Sequence, residues 1–188
     1  MRDSVDRRNT TALSADVKGI WALHTDTGTN QLMVNYGTKV AYSATSNFTD
    51  LTGITARTDG SRVYGMTMNN VAYGVSYDKV SFKWDGSSAA DLGVTLDGSA
   101  GNFPQAQYVA FCAMGDRLLI FKSNSVYAIF GFDSDSFQVV TLTDSVGSVP
   151  LSQPVSTPYG VFFWYADQGV FSYNRENFAW IFDKIAPA

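Results

Sequence analysis

The feature that most constrains the fold is a phrase written four times. Residues 20–44, 62–86, 108–131 and 154–174 can be laid over one another. Each reads as a strand, a polar or glycine turn, a second strand, a second polar turn, and a third strand opening at a valine. Those valines are Val40, Val80, Val126 and Val170, separated by 40, 46 and 44 residues. The phrase is plainest in "MNNVAYGV" (68–75) and "MGDRLLIF" (114–121), where a methionine and a two-residue polar turn lead into a strand-like run. Short apolar or alternating runs bounded by Gly, Asn, Asp and Ser are the mark of strands joined by hairpins.

A less regular stretch follows each phrase and returns to a candidate fourth strand, at 50–56, 91–97, 137–143 and 178–185. A unit of three to four antiparallel strands every ~40–45 residues is the period of a propeller blade. The physical reason is direct: a lone four-stranded sheet cannot bury both of its faces, whereas stacked copies bury each face against a neighbour. The near-continuous apolar runs "RLLIF" and "GVFFWY" fit strands covered on both sides better than strict alternation would. The fold expected is therefore all-β, a β-propeller-like array of about four blades. Closure as a small ring, an open arc, and an arc completed by another subunit all remain open. Residues 1–18 are polar and aperiodic and read as an N-terminal arm; 19–188 is the repeat domain.

The turns agree. Asn69-Asn70, Gly115-Asp116 and Tyr159-Gly160 stand between first and second strands, and Asp85-Gly86 ends a third strand. Asn, Asp and Gly tolerate the left-handed backbone of tight hairpins.

Composition narrows the function classes. The net charge of −4 and the near absence of basic clusters, Arg7-Arg8 beside Asp3 and Asp6 excepted, speak against a nucleic-acid groove. No apolar run approaches the ~20 residues of a membrane-spanning helix, and "MRDSVDRRNTT" holds no apolar stretch of a secretory leader. The single cysteine, Cys112 in "VAFCAM", reads as a buried thiol.

Candidate chemistry is sparse. His24 is the only histidine and Glu176 the only glutamate, so no two-histidine metal site and no glutamate pair can form. A Cys112–His24 nucleophilic pair is opposed by the apolar flanks of Cys112. Asp133 and Asp135, and the Asp-Gly pairs at 59–60, 85–86 and 97–98, read as turn formers before cation ligands. The sequons at Asn9 and Asn47 read as accidental. No catalytic residue, metal or cofactor is expected, and the chain is read as not an enzyme.

Aromatics are the remaining signal. Tyr42, Trp84 and Tyr173 close third strands, which suits core packing first and a sugar-binding face second. They are the candidate ligand residues of a carbohydrate-binding alternative, with a glycan as partner.

The stretches "NYGTKVAYSATSNFTDLTG", "NNVAYGVSYDKVSFKWDGSSAADLG" and "GDRLLIFKSNSVYAIF" resemble propeller-like virion proteins of tailed bacteriophages, the tail, nozzle or head-to-tail connector components. The resemblance spans roughly residues 20–182 and rests on repeat phrasing, with no catalytic motif. Proteins of that kind are usually much longer than this chain. The resemblance implies a structural, non-enzymatic role in the virion, as a homo-oligomer and among other virion proteins; from charge and the lack of a long apolar run, neither nucleic acid nor a membrane is expected as a partner.

Overall fold

A computed structural model of the chain describes residues 13–44, 47–58, 60–76, 81–92, 109–131, 136–150 and 152–182. The chain divides into two compact units, Met1–Asp91 and Leu92–Ala188. Each holds two four-stranded antiparallel sheets whose strands pair in chain order, the meander that a blade requires. The first sheet is β1 (Val17–His24), β2 (Asn30–Tyr36), β3 (Lys39–Ser43) and β4 (Thr49–Asp50); the second is β5 (Val63–Met68), β6 (Val71–Ser76), β7 (Ser81–Trp84) and β8 (Ala89–Asp91). The third is β9 (Ala110–Met114), β10 (Arg117–Phe121), β11 (Val126–Phe130) and β12 (Gln138–Thr143); the fourth is β13 (Val155–Thr157), β14 (Gly160–Tyr165), β15 (Gly169–Tyr173) and β16 (Phe178–Phe182).

The repeated phrase is a repeated hairpin. Met68 pairs with Val71 across Asn69-Asn70, and Met114 pairs with Arg117 across Gly115-Asp116. Asn69, Asn70 and Gly115 have φ of 49°, 65° and 63°, the left-handed values that two-residue loops need and that Asn and Gly tolerate. In the fourth sheet the expected turn at Tyr159-Gly160 sits one residue earlier, on Pro158 and Tyr159, with Thr157 paired to Gly160. Gly160 opens β14 instead. Its φ is 142°, and a Cβ there would run into the Tyr173 carbonyl.

Two fourth strands also differ from expectation. β4 is two residues long, not the 50–56 anticipated, because Leu51 and Ile54 turn away from the sheet to pack on the core. β8 begins at Ala89, ahead of the expected 91–97. β12 and β16 fall where sequence places them. At the N-terminus β1 starts at Val17, inside the polar stretch, and Leu13 packs on Val34, Tyr36 and Ala41. Residues 1–12, Asp59, Val80, Asp97, Asp133, Asp135 and 183–185 lie outside the described residues, as does most of 91–97.

Within the first unit the two sheets pack face to face. Trp21, Leu23, Met33 and Val40 of the first sheet meet Val63, Ala72, Phe82 and Trp84 of the second. Gly19 and Gly65 let β1 and β5 approach: a Cβ on Gly19 would meet the Val63 carbonyl, and one on Gly65 would overlap the Trp21 ring. Buried Asn35 bridges the sheets, accepting from the Val63 amide at 2.9 Å and donating to the Ser61 carbonyl at 3.3 Å. In the second unit β9 lies against β13 and β14. The Phe121 and Phe163 ring centroids are 5.0 Å apart, and Gln153 Nε2 donates to the Phe111 carbonyl at 2.7 Å. Each fully buried side chain of this size removes enough apolar surface from water to stabilise the fold by about 1.5–3 kcal/mol.

Candidate functional site

Tyr42 and Trp84 come together in the first unit. Their ring centroids lie 4.5 Å apart at 34°. Trp84 is buried, and its indole N–H is held by Gln31, so its face is spent on packing rather than offered to a ligand. Tyr42 is half-buried at the edge of the same core. Tyr173 belongs to the second unit, buried and stacked on Phe178 at 4.6 Å, with its hydroxyl donating to the Arg175 carbonyl. The three residues share a task, closing a third strand onto its core, and each does so within its own unit.

His24 ends β1 in an exposed hairpin, its Nδ1 2.6 Å from Asn30 Oδ1. Cys112 is buried in β9. Among the described residues no three of His, Cys, Asp and Glu gather as a metal site needs, and no helix is long and apolar enough to cross a membrane.

One concave feature opens on the first unit, a cavity of ≈ 350 Å³ lined by Lys39, Asp50, Leu51, Ile54, Thr55 and Arg57 among others. Asp50 lies between Lys39, whose ammonium donates at 2.5 Å, and the Tyr36 hydroxyl. Burial raises the Asp50 carboxyl, but hydrogen bonds from Lys39 and Tyr36 and the lysine's charge outweigh it and hold the group below its usual range. Burial, then the hydrogen bond to Asp50 and its charge, pushes Tyr36 up to about 12. Through the neutral range Asp50 is thus a carboxylate and Tyr36 a phenol.

The feature that sequence reasoning did not place is the distribution of bare apolar surface. Directly paired residues share a sheet face. In the first sheet the face carrying Trp21 and Met33 is buried on the second sheet. The opposite face carries Ile20, paired to Val34, and Leu32, paired to Ala22. Leu13 and Phe48 cover its Val34–Tyr36 end, while Ile20 is 65% and Leu32 42% exposed. In the fourth sheet, Phe163 and Val161 face the core. The opposite face aligns Val155 with Phe162 and Trp164 with Val170, and Val155 is 58% and Trp164 37% exposed. The first, second and third sheets all carry buried residues on both faces: Trp21 and Met33 against Val34 and Ala41, Val63 and Phe82 against Tyr64 and Val75, Phe121 and Val126 against Phe111 and Ile120. Period-2 patterning could not reveal the difference, because all four sheets are apolar on both sides.

A scan against protein families and a search of curated proteins find no match. Among solved structures the chain is similar to the crystal structure of the computationally designed Ika4 protein. The identity is 13% and the TM-score 0.58, over 90% of this chain and 94% of that one. At that identity the likeness speaks to fold alone. The all-β, propeller-like architecture of about four blades, read first from the repeat, is the fold of this chain.

Proposed function

We propose that this chain is a structural protein that works through protein–protein contacts, as a tail or connector component of a tailed bacteriophage virion. The observation that carries the reading is the set of exposed apolar side chains on one face of the first sheet, Ile20 and Leu32, and on one face of the fourth, Val155 and Trp164. Contiguous exposed apolar side chains mark interaction surfaces, and a sheet face is a broad one. The virion setting comes from the repeat phrasing and supplies the need for permanent subunit contacts. Particles banded from a culture that carries and expresses the gene should contain the chain in stoichiometric amount. Its absence from purified particles overturns the virion setting.

The carbohydrate-binding alternative has Tyr42 as its one partly exposed candidate ring, since Trp84 and Tyr173 are buried. Glycan binding lost in Tyr42→Ala, with folding retained, would favour it over the structural reading; no binding across a glycan array retires it.

A further inference from the structure

We propose that the second unit binds an internal water molecule through Asn124, Ser125 and Ser148, where the chain passes from the third sheet to the fourth. The proposal goes beyond the virion reading and does not depend on it. Three buried side-chain oxygens, Asn124 Oδ1, Ser125 Oγ and Ser148 Oγ, find no hydrogen-bonding partner among the described residues. Ser125 is 2% and Ser148 1% exposed, so bulk water does not serve them. All three residues meet at one junction. Residues 122–125 turn β10 into β11, the Lys122 amide donating to the Ser125 carbonyl at 2.9 Å. The Ser148 amide donates to the Lys122 carbonyl at 2.9 Å. Gly147 lies so close to the turn that a Cβ there would run into the Lys122 carbonyl and the Asn124 amide. The Val149 amide then donates to the Trp164 carbonyl of the fourth sheet at 3.0 Å. The junction therefore fastens the crossover to both sheets.

The first unit shows what such a junction needs. Its crossover carries the same Gly-Ser pair, Gly60-Ser61, and a Cβ on Gly60 would lie 3.8 Å from Gly37, in the turn between β2 and β3. There a side chain supplies the donors. Arg57 donates to the Gly37 carbonyl at 3.2 Å, to Ser61 Oγ at 3.2 Å and to the Ser61 carbonyl. The residue standing as far before Ser148 as Arg57 stands before Ser61 is Asp144, which is exposed and, as a carboxylate, has no donor to offer. The second unit keeps the turn and the Gly-Ser pair but has no guanidinium to bridge them. Buried polar groups are paired with protein or with ordered water, and an internal water typically makes about three hydrogen bonds. One water matches this set: it donates to Asn124 Oδ1 and to one serine oxygen, and accepts from the other hydroxyl. An ion matches it less well. A cation would sit among three uncharged oxygens beside the buried Lys122, and an anion would face the amide oxygen of Asn124.

The experiment is urea unfolding of the full-length chain as wild type, Ser125→Ala, Ser148→Ala and the double variant. Serine to alanine barely changes volume, so the sign of the shift is the readout. With a water bound, losing either hydroxyl leaves that water short of a partner, and the midpoint should fall. The double variant should fall by less than the sum of the two single shifts, because one water serves both serines. Without a water, each hydroxyl is an unpaired buried group, and removing it should leave the midpoint unchanged or raise it. A rise, no change, or strictly additive falls each overturns the shared water. Replacing sodium by potassium or choline in the buffer should leave the wild-type midpoint where it is; a dependence on the cation would make the occupant an ion and overturn the assignment. A high-resolution crystal structure gives the direct view. Density within hydrogen-bond reach of Ser125 Oγ, Ser148 Oγ and Asn124 Oδ1 is expected, and hydroxyls turned onto main-chain carbonyls with no density between them would overturn it. None of these outcomes bears on whether the chain is found in purified particles.

Discussion

Nε1 of Trp84 donates to Oε1 of Gln31 at 2.6 Å, and Nε2 of the same glutamine donates to the Gly86 carbonyl at 3.1 Å. One buried amide thus ties the first sheet to the end of the third strand of the second, and satisfies the only polar side-chain atom of a tryptophan that is otherwise core. Replacing Gln31 by leucine keeps the volume and removes the acceptor. An indole N–H left unpaired in a buried site costs about 1–3 kcal/mol. Gln31→Leu should therefore lower the urea midpoint of the first unit, while the double variant that adds Trp84→Phe to it should recover part of the loss. An unchanged midpoint in the single variant would show that the indole finds another partner.

Gly65 faces the Trp21 ring so closely that no Cβ fits without movement of the indole. Trp21 is itself wedged against Phe82, with ring centroids 6.4 Å apart, so it has little room to yield. Gly65→Ala should destabilise by about 1–3 kcal/mol through overpacking, even though alanine suits a strand no worse than glycine. Emission of Trp21, read in a background where Trp84, Trp164 and Trp180 are phenylalanine, reports the site. Thermal unfolding at the wild-type temperature would mean that the sheets simply separate by a small amount at no cost.

The repeat made the blades legible because each depends on local signals: a turn with left-handed residues, then apolar runs. What was not legible depends on neighbours. Trp84 and Tyr173 stand alike in sequence with Tyr42, yet two are buried and one is not, and only the depth of each sheet's packing decides it. Ile20 and Trp21 are adjacent and both apolar; one is bare and the other core because successive strand residues point to opposite faces. Arg175 carries a φ of 83° at the place in its turn where Gly86 stands, with 99°, in the equivalent turn of the second sheet. Nothing in a lone arginine announces a left-handed backbone.

Those two turns supply a pH test. Asp85 Oδ1 accepts from the Ser87 and Ser88 amides at 2.8 and 2.7 Å, and Asn174 Oδ1 accepts from the Glu176 and Asn177 amides at 3.2 and 2.9 Å. The same cap is ionisable in one sheet and neutral in the other. Burial raises the Asp85 carboxyl, but hydrogen bonds from Ser88 and Ser87, amide and hydroxyl, outweigh it and hold the group at about 2. A carboxyl depressed in the fold stabilises above its unfolded value, and that contribution fades as pH falls from 3.8 through about 2. Asp85→Asn copies the fourth sheet's cap and cannot titrate. Its urea midpoint should fall less steeply than wild type between those two values. Parallel slopes would mean that the serine contacts open in acid before the carboxyl is protonated.

Cys112 supplies the alkaline counterpart. Burial in β9 pushes its thiol up to about 11, against a smaller opposite effect of the hydrogen bond with Ser156. At pH 8 the folded chain then holds about one thiolate in a thousand, and the thiolate is the reactive form. A disulfide reagent should label the native protein at least about a hundredfold more slowly than a free thiol, with full reaction once urea unfolds the second unit. The raised value also has a stability consequence. The unfolded thiol ionises near 9.0 and the folded one near 11, so the unfolded state sheds its proton first and stability falls as pH climbs through that interval. Cys112→Ala should remove this part of the alkaline slope at the modest cost of a small void. Rapid labelling of the native chain, or an alkaline slope the same in both proteins, would place the sulfur in contact with solvent and undo the account of β9 as covered on both faces.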